Sequence, residues 1–214
     1  MRRTRAPLFL AVDCGLTLVK AVLFSPDGGE VASASSKPPV LYPKSGWAER
    51  DPEELWEHAR RAVGEAAARA GAGTGEVACV VVTGHGNGVY CLDGRGRPAR
   101  NGILSIDARA VETAVRLRAE GVPEKIHRVT GNRIWPASTA VLLRWIRDNE
   151  PDVYALTRHV LFAKDYIRYR LTGELCSDRT DMTAGALACV SSARFDPAIL
   201  DAYGIPEVSR KLPP

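Results

Sequence analysis

The chain has 214 residues, 45% of them hydrophobic, so it is long enough to bury a substantial core as one large domain or two small ones. Its 29 lysine and arginine residues against 25 acidic residues give a net charge of +4. These basic residues are spread along the chain, which argues against a nucleic-acid-binding patch. No apolar segment is long enough to span a membrane, so we expect a cytoplasmic protein without a membrane partner.

The three strands expected first form an antiparallel meander. Leu8–Val12, Val19–Phe24 and Val31–Ser35 are apolar runs, and the sequence "SPDGGE" between the last two is typical of a tight turn. The preceding residues 1–7 are predicted to be disordered.

A long helix and a buried strand are expected next. Asp51 is placed to cap a helix whose first turn holds Pro52 and whose end is marked by Gly71. The β-branched run Val77–Val82 predicts a strand buried on both faces. Residues 88–106 are then predicted to form a hairpin.

Helices alternate with a short strand in the remaining chain. This order predicts an α/β fold with a mixed sheet, an antiparallel meander at its N-terminus and flanking helices. The predicted elements are helices at Ala108–Glu120, Pro123–Val129 and Thr139–Asn149, a strand at His159–Ala163, and a helix at Asp165–Leu171 that ends at Gly173.

The cysteines favour neither disulfides nor a zinc site. Five is an odd number, the residues are far apart, and no CxxC pair occurs. We expect reduced and mostly buried thiols. They are Cys14, Cys79, Cys91, Cys176 and Cys189.

The turn between the first two strands carries Asp13, Gly15 and Thr17. Backbone amides and a hydroxyl on such a turn suit the terminal phosphates of a nucleotide, while the carboxylate holds Mg²⁺ through water. An ordinary hairpin with an aspartate in its turn explains the same pattern equally well. Neither GxxxxGK[ST] nor a GxGxxG after a strand is present, so ATP would not be bound through those loops.

Five ordered blocks resemble one family. "DCGLTLVKAVLF", "GWAERDPEELW", "GILSIDARA", "LLRWIRDNEPDVY" and "KDYIRYRLTGELCSDRTD" occur in the order and spacing of the FGGY carbohydrate kinases. The chain resembles in particular the branch that phosphorylates L-xylulose and related pentuloses, and residues 8–214 would form the first domain. The resemblance implies an actin-like, ribonuclease-H-like α/β domain, with sugar and ATP meeting in the cleft between it and a second domain.

The first block implies a phosphate site. By this resemblance Asp13 would orient hydrated Mg²⁺, and Gly15, Thr17 and Lys20 would lie at the phosphoryl group. Leu16 departs from the usual threonine, which removes one hydroxyl from the turn.

The resemblance also implies a sugar site. His85, Gly86 and Asn87 follow a strand where the family places sugar-contacting residues. A polar, glycine-rich turn can meet several sugar hydroxyls at once, although a loop histidine can instead bond to a carbonyl. Asp107 and Arg109 match the family's substrate-side residues. Asp107 would accept from a hydroxyl, and Arg109 would donate to one or pair with Asp107 as a structural ion pair.

Other conspicuous residues are interpreted as structural. Trp47 is expected to pack, Asp51 to cap its helix, and Trp145 to lie in the core. Lys164, with Asp165 and Tyr166 behind it, opens a helix near the expected cleft and is also taken as structural.

The implied activity is ATP-dependent phosphorylation of a ketopentose or related sugar or polyol, with Mg²⁺. The family's catalytic base, second phosphate motif and adenosine pocket lie beyond the matching residues, so we expect no catalytic base in this chain and no C-terminal ATP-binding domain. Little turnover is then expected from the chain alone. It would partner that domain or form a homodimer. The alternatives are a non-catalytic sugar-binding or regulatory module, and an actin-like ATPase with a structural or chaperone role.

Overall fold

The computed structural model describes residues 6–73, 75–192 and 194–213. Most of the predicted disorder at residues 1–7 falls on residues 1–5, which lie outside the described residues. No helix in the described ranges is long and apolar enough to cross a membrane.

The described residues form eight strands, eight α-helices and one short 3-10 helix. The strands are β1 (Leu8–Cys14), β2 (Val19–Phe24), β3 (Glu30–Ser36), β4 (Glu49–Arg50), β5 (Val77–Gly84), β6 (Tyr90–Leu92), β7 (Gly102–Ile103) and β8 (His159–Leu161). The helices are α1 (Pro52–Ala70), α2 (Val111–Ala119), α3 (Val122–Thr130), α4 (Thr139–Asn149), α5 (Pro151–Leu156), α6 (Ala163–Thr172), α7 (Arg179–Ala184) and α8 (Pro197–Ala202), followed by the 3-10 helix Pro206–Arg210.

The main sheet has the strand order β3-β2-β1-β5. Strands β1, β2 and β3 are antiparallel neighbours, and β5 pairs with β1 in parallel. The predicted mixed sheet with an N-terminal meander is therefore confirmed. Because a parallel neighbour needs a crossover connection, the chain between β3 and β5 passes through α1.

Helix α1 has the ends that the sequence predicts. Asp51 accepts a hydrogen bond from the amide of Glu53 at 2.8 Å, and Pro52 occupies the first turn. Gly71 ends the helix in the left-handed conformation. Three alanines and a leucine on the buried face allow α1 to pack closely on the sheet. They are Leu55, Ala59, Ala62 and Ala66.

The buried side chains form two clusters. One lies between the main sheet, α1 and α6 and includes Val12, Leu55 and Ile167. The other surrounds α4 and includes Leu142 and Ile199. Residues from β6 and β8 occur in both clusters, so these two short strands join the halves of the core.

The prediction that the Val77–Val82 run is buried on both faces is wrong. Cys79, Val80 and Val81 are exposed in β5. In the described part of the chain β5 has one sheet neighbour, β1, so it lies at an edge. The expectation of mostly buried thiols fails as well, because only Cys14 and Cys91 of the five free cysteines are fully buried.

The hairpin predicted for residues 88–106 is only partly formed. Val89 with Ile103 and Leu92 with Pro98 make isolated antiparallel bridges, and the Ala99 amide donates to the Cys91 carbonyl at 2.8 Å. Strand β6 also pairs with β8, and β7 with β4. Segments distant in sequence therefore supply the regular ladder pairing of both short strands, beside the local bridges. Helices α5, α7 and α8 were not predicted, and each has six residues, too few for an apolar period to show.

Replacing the cap of α1 tests the local origin of this helix. We expect Asp51→Ala to lower the free energy of unfolding by about 1 kcal/mol, because the Glu53 amide loses its acceptor. Asp51→Asn keeps an acceptor oxygen and is the control. Denaturant titrations measure both variants, and equal stabilities for the two would contradict the capping role.

Candidate active site

Two turns lie side by side at one edge of the main sheet. The parallel pairing of β1 with β5 sets Asp13 beside Thr83 and Cys14 beside Gly84. The amide of His85 donates to the carbonyl of Cys14 at 3.1 Å. The turn after β1 (residues 13–18, the Asp13 turn) therefore adjoins the loop after β5 (residues 85–88, the His85 loop).

The Asp13 turn presents polar side chains to solvent. Asp13 and Lys20 are exposed and lie directly opposite each other in the antiparallel register of β1 and β2, so their side chains share a face. Thr83 flanks Asp13 on the other side of β1. Thr17 is also exposed, and the amide of Gly15 donates to the carbonyl of Leu18 at 3.1 Å, which closes the turn.

The His85 loop is held in an uncommon backbone conformation. Asn87 has φ 57° and Gly88 has φ 72°, both in the left-handed region. The amide of Gly88 donates to the carbonyl of Ala137 at 3.2 Å, and the Thr139 hydroxyl donates to the carbonyl of Gly88 at 2.9 Å. These bonds fix the loop against the start of α4.

Two polar atoms of this loop are buried without a partner among the described residues. They are Nε2 of His85 and Oδ1 of Asn87. Buried polar atoms in folded proteins are nearly always hydrogen-bonded, so each such atom requires an explanation. A water molecule or a ligand hydroxyl that enters the loop would supply the missing partner.

His85 is a neutral imidazole over most of the pH range. Burial, and secondly the charge of Arg50, lower the pKa of His85 to about 4. A neutral ring offers one donor and one acceptor. Its Nδ1 lies 3.5 Å from the Ser105 hydroxyl, which leaves Nε2 for another group.

A lysine and two aspartates border the His85 loop. Lys164 on α6 forms ion pairs with Asp181 and, at 2.6 Å, with Asp178. A Cβ atom placed on Gly86 would lie 3.0 Å from Oδ1 of Asp181, so glycine permits this close approach. The structural interpretation of Lys164 agrees with these contacts. Asp181 ends one of the five family-like blocks but was not singled out as a site residue, because only the folded chain brings α7 to the loop.

Asp107 and Arg109 bond to each other in the interior. The Asp107 carboxylate accepts hydrogen bonds from the amides of Ala48 (2.6 Å) and Arg109 (2.8 Å) and from the Arg109 guanidinium (2.9 Å). Both side chains are fully buried. This is the structural ion pair given as the alternative for Arg109, and the substrate contact of either residue stays a prediction.

The same ion pair belongs to a larger buried network. Glu49 pairs with Arg109 at 2.8 Å and with Arg100, which also reaches Glu150 at 2.5 Å. The Arg109 guanidinium stacks 3.9 Å from the centroid of Trp47. The "GWAERD" and "SIDAR" motifs therefore meet in the core.

The structural interpretations of the aromatic and capping residues are confirmed. Trp47 packs edge-on against the buried Trp145 with ring centroids 5.3 Å apart, and Asp51 caps α1.

Residues 8–214 match the N-terminal domain of the FGGY family of carbohydrate kinases. The chain belongs to this family. The "Probable L-xylulose kinase" of Pasteurella multocida is 31% identical over 206 residues, which are 96% of this chain and 43% of that protein. The "L-xylulose/3-keto-L-gulonate kinase" of Escherichia coli is 32% identical over the same share of this chain and 41% of its own.

Solved structures of FGGY relatives have the same fold. A crystal structure of a "xyloylose kinase" from Brucella ovis superposes with a TM-score of 0.89 at 30% identity, over 97% of this chain and 42% of that one. A xylulose kinase from Rhodospirillum rubrum gives 0.88 at 31% identity, also over 97% of this chain and 42% of its own. The predicted family and the actin-like α/β fold are confirmed. The chain spans less than half the length of these relatives.

The backbone of the His85 loop provides a stability prediction. A Cβ at Gly88 would overlap the carbonyl oxygen of Ile103, whereas a Cβ at Gly28, which also has positive φ, meets nothing within 4 Å. We expect Gly88→Ala to lower the free energy of unfolding by about 2 kcal/mol more than Gly28→Ala. Denaturant titration of the two variants measures this difference, and equal losses would contradict the close approach.

The neutral state of His85 can be measured by NMR titration, which should give a midpoint near pH 4. In the unfolded chain the His85 ring takes up a proton near pH 6.5, whereas in the folded chain it does so only near pH 4. The neutral ring therefore makes its full contribution to the free energy of unfolding above pH 6.5, and this contribution is lost as pH falls toward 4. It amounts to roughly 3 kcal/mol. His85→Gln should show a correspondingly weaker loss of stability on acidification. A midpoint near 6.5 in the folded chain would contradict the burial argument.

Proposed function

We propose that this chain is the sugar-binding and phosphate-binding domain of an ATP-dependent kinase that acts on a ketopentose or a related sugar or polyol. The observation that carries the proposal is the adjacency of the Asp13 turn and the His85 loop, joined by the bond from the His85 amide to the Cys14 carbonyl. A phosphoryl group and a sugar hydroxyl must lie in contact for transfer, and positioning supplies much of the rate.

The sugar is bound in this proposal by the His85 loop. Nε2 of His85 and Oδ1 of Asn87 lack partners within the described residues, and sugar hydroxyls both donate and accept. Gly86 lets the Asp181 carboxylate lie close to this loop. Substrate contact by Asp107 and Arg109 stays a prediction, and their ion pair orders the segment that leads from Ser105 to α2. The relatives of this chain include L-xylulose and xylulose kinases, which supports a pentulose as substrate.

The phosphates are bound in this proposal by Gly15, Thr17 and Lys20. Asp13 would hold Mg²⁺. In the described residues no group of three or more histidine, cysteine or acidic side chains is arranged to hold a metal ion. A single exposed carboxylate fits Mg²⁺ that keeps its water shell and is bound together with phosphates. When bound, the ion would neutralise charge on the phosphates.

The proton acceptor is not assigned to this chain. The sugar hydroxyl must lose a proton as the phosphoryl group arrives, and a carboxylate near that hydroxyl is the usual base. Asp107 is turned into the core and bonded to Arg109 and Ala48, so it is badly placed for this task. We propose that the base and the adenosine contacts lie in a part of such kinases outside the matched region, and that the enzyme works in the cytoplasm, where ATP is available.

The activity is tested by ADP release with MgATP and a panel of pentuloses, hexuloses and polyols. The chain of 214 residues is assayed beside a kinase in which it is joined to the C-terminal part of a relative. We expect turnover in the joined protein only, with one sugar preferred. Sugar binding without turnover in either protein would favour a non-catalytic sugar-binding module. Turnover by the short chain alone would place the base within it.

Substitutions in the joined protein test the two turns separately. We expect Asp13→Asn to lower kcat by about 100-fold or more. Asn87→Ala should raise KM for the sugar by about tenfold, because one hydroxyl loses its partner. Asp27→Asn in the exposed β2–β3 turn and Asn149→Ala at the end of α4 are the matched controls. A kcat for Asp13→Asn equal to that of its control would contradict the assigned role.

A further inference from the structure

Arg50 is a buried cation without a carboxylate partner among the described residues. Its side chain is among the largest fully buried ones, with 0% exposure. None of its ion-pair distances to carboxylates of the described residues falls within 4.0 Å, unlike those of Arg100 and Arg109 in the neighbouring network. Burial lowers the pKa of Arg50, but a guanidinium stays protonated in proteins. Such a charge is costly to bury, so its position calls for a reason.

The hydrogen bonds of Arg50 go to backbone carbonyls of the Asp13 turn. One terminal nitrogen donates to the carbonyl of Gly15 at 3.1 Å, and the other donates to the carbonyl of Leu16 at 2.6 Å. Nε donates weakly to the carbonyl of Pro39 at 3.5 Å. The guanidinium group therefore binds the carbonyls of two consecutive peptide groups.

These bonds determine where the next two amides point. In a trans peptide the N–H of a residue points opposite to the carbonyl of the residue before it. The described chain contains no cis peptide bond, so the amides of Leu16 and Thr17 point away from Arg50. Neither amide donates a hydrogen bond to any described residue. Two adjacent outward amides of this kind form an anion-binding concavity.

We propose that Arg50 is a positioning residue that holds the Asp13 turn with the Leu16 and Thr17 amides aimed at a polyphosphate. The inference rests on the proposed function and assigns a phosphate-binding role to the backbone at Leu16. The side chain of Leu16 offers no hydroxyl. The outward-pointing amides supply hydrogen-bond donors at that position in place of a hydroxyl.

The charge of Arg50 strengthens the same site. An anion at the two amides supplies negative charge close to a cation whose hydrogen-bond acceptors in the described part of the chain are neutral carbonyls. Coulomb attraction across the turn is weakly screened, because the guanidinium is excluded from water. We therefore expect the loss of this charge to weaken polyphosphate binding more than it weakens sugar binding at the His85 loop.

The test uses ¹⁵N-resolved NMR spectra of the 214-residue chain with magnesium tripolyphosphate as the anionic probe and L-xylulose as the sugar probe. We expect tripolyphosphate to shift the Leu16 and Thr17 amide signals. Arg50→Gln should weaken this binding by about tenfold or more, and Arg50→Lys should fall between, because it keeps the charge but loses the fork. L-xylulose binding should change less than about twofold in either variant. Arg60→Gln on the exposed face of α1 is the control.

The outcomes separate the inference from the proposed function. Tripolyphosphate binding of equal strength in Arg50→Gln, or probe shifts confined to other residues, would overturn the role of Arg50 while the proposed function stands. An unchanged chain that binds neither probe would overturn both. If Arg50→Gln does not fold, hydrogen exchange in the unchanged chain tests whether the Leu16 and Thr17 amides bind the anion. The Leu16 and Thr17 amides should exchange rapidly and be slowed about tenfold or more by tripolyphosphate. Slow exchange without the probe would overturn the inference.

Discussion

The parallel pairing of β1 with β5 is the constraint on which the candidate site depends. Parallel strands bring their carboxyl ends to the same edge of a sheet, so two turns separated by about 70 positions become neighbours. The Cys14 carbonyl then accepts from the His85 amide. A shift of this register by one residue would move Asp13 to the buried face and separate it from Lys20 and Thr83.

The short strand β4 consists of two residues of opposite charge, Glu49 and Arg50, and both stabilise this part of the structure. Glu49 faces the interior network that contains Asp107 and Arg109. Arg50, the next residue, points to the other side and binds the carbonyls of the Asp13 turn. Alternation along a strand thus lets one dipeptide connect the core to the phosphate side of the site. The "GWAERD" motif therefore acts mainly as a support for its neighbours in the folded chain.

Local sequence signals were sufficient for β1, β2 and α1. Their strand runs, the Asp51 cap and the Gly71 stop depend on neighbouring residues only. The exposure of β5 could not be predicted, because a β-branched run has the same sequence in the middle of a sheet and at its edge. The pairing of β6 with β8 is equally non-local, since about 70 residues separate these strands.

Some residues of the candidate site could likewise be predicted from the sequence, and others could not. Asp13, Thr17, His85 and Asn87 could be chosen from motifs, and the fold brings them to one edge. Arg50 and Asp181 could not be chosen, because their contacts join segments far apart in sequence. The burial of Asp107 also depended on packing, since the same Asp-x-Arg spacing serves a substrate contact or an internal ion pair equally well.

We propose that metal, phosphates and sugar share this one edge of the sheet. Paramagnetic broadening tests it most directly, with Mn²⁺ tripolyphosphate in place of the Mg²⁺ complex and the Mg²⁺ sample as reference. We predict that the amide signals of residues 13–18 and 83–88 broaden together, and that signals of the distant 3-10 helix Pro206–Arg210 keep their width. Broadening of residues 13–18 with unchanged signals at residues 85–88 would contradict a shared site.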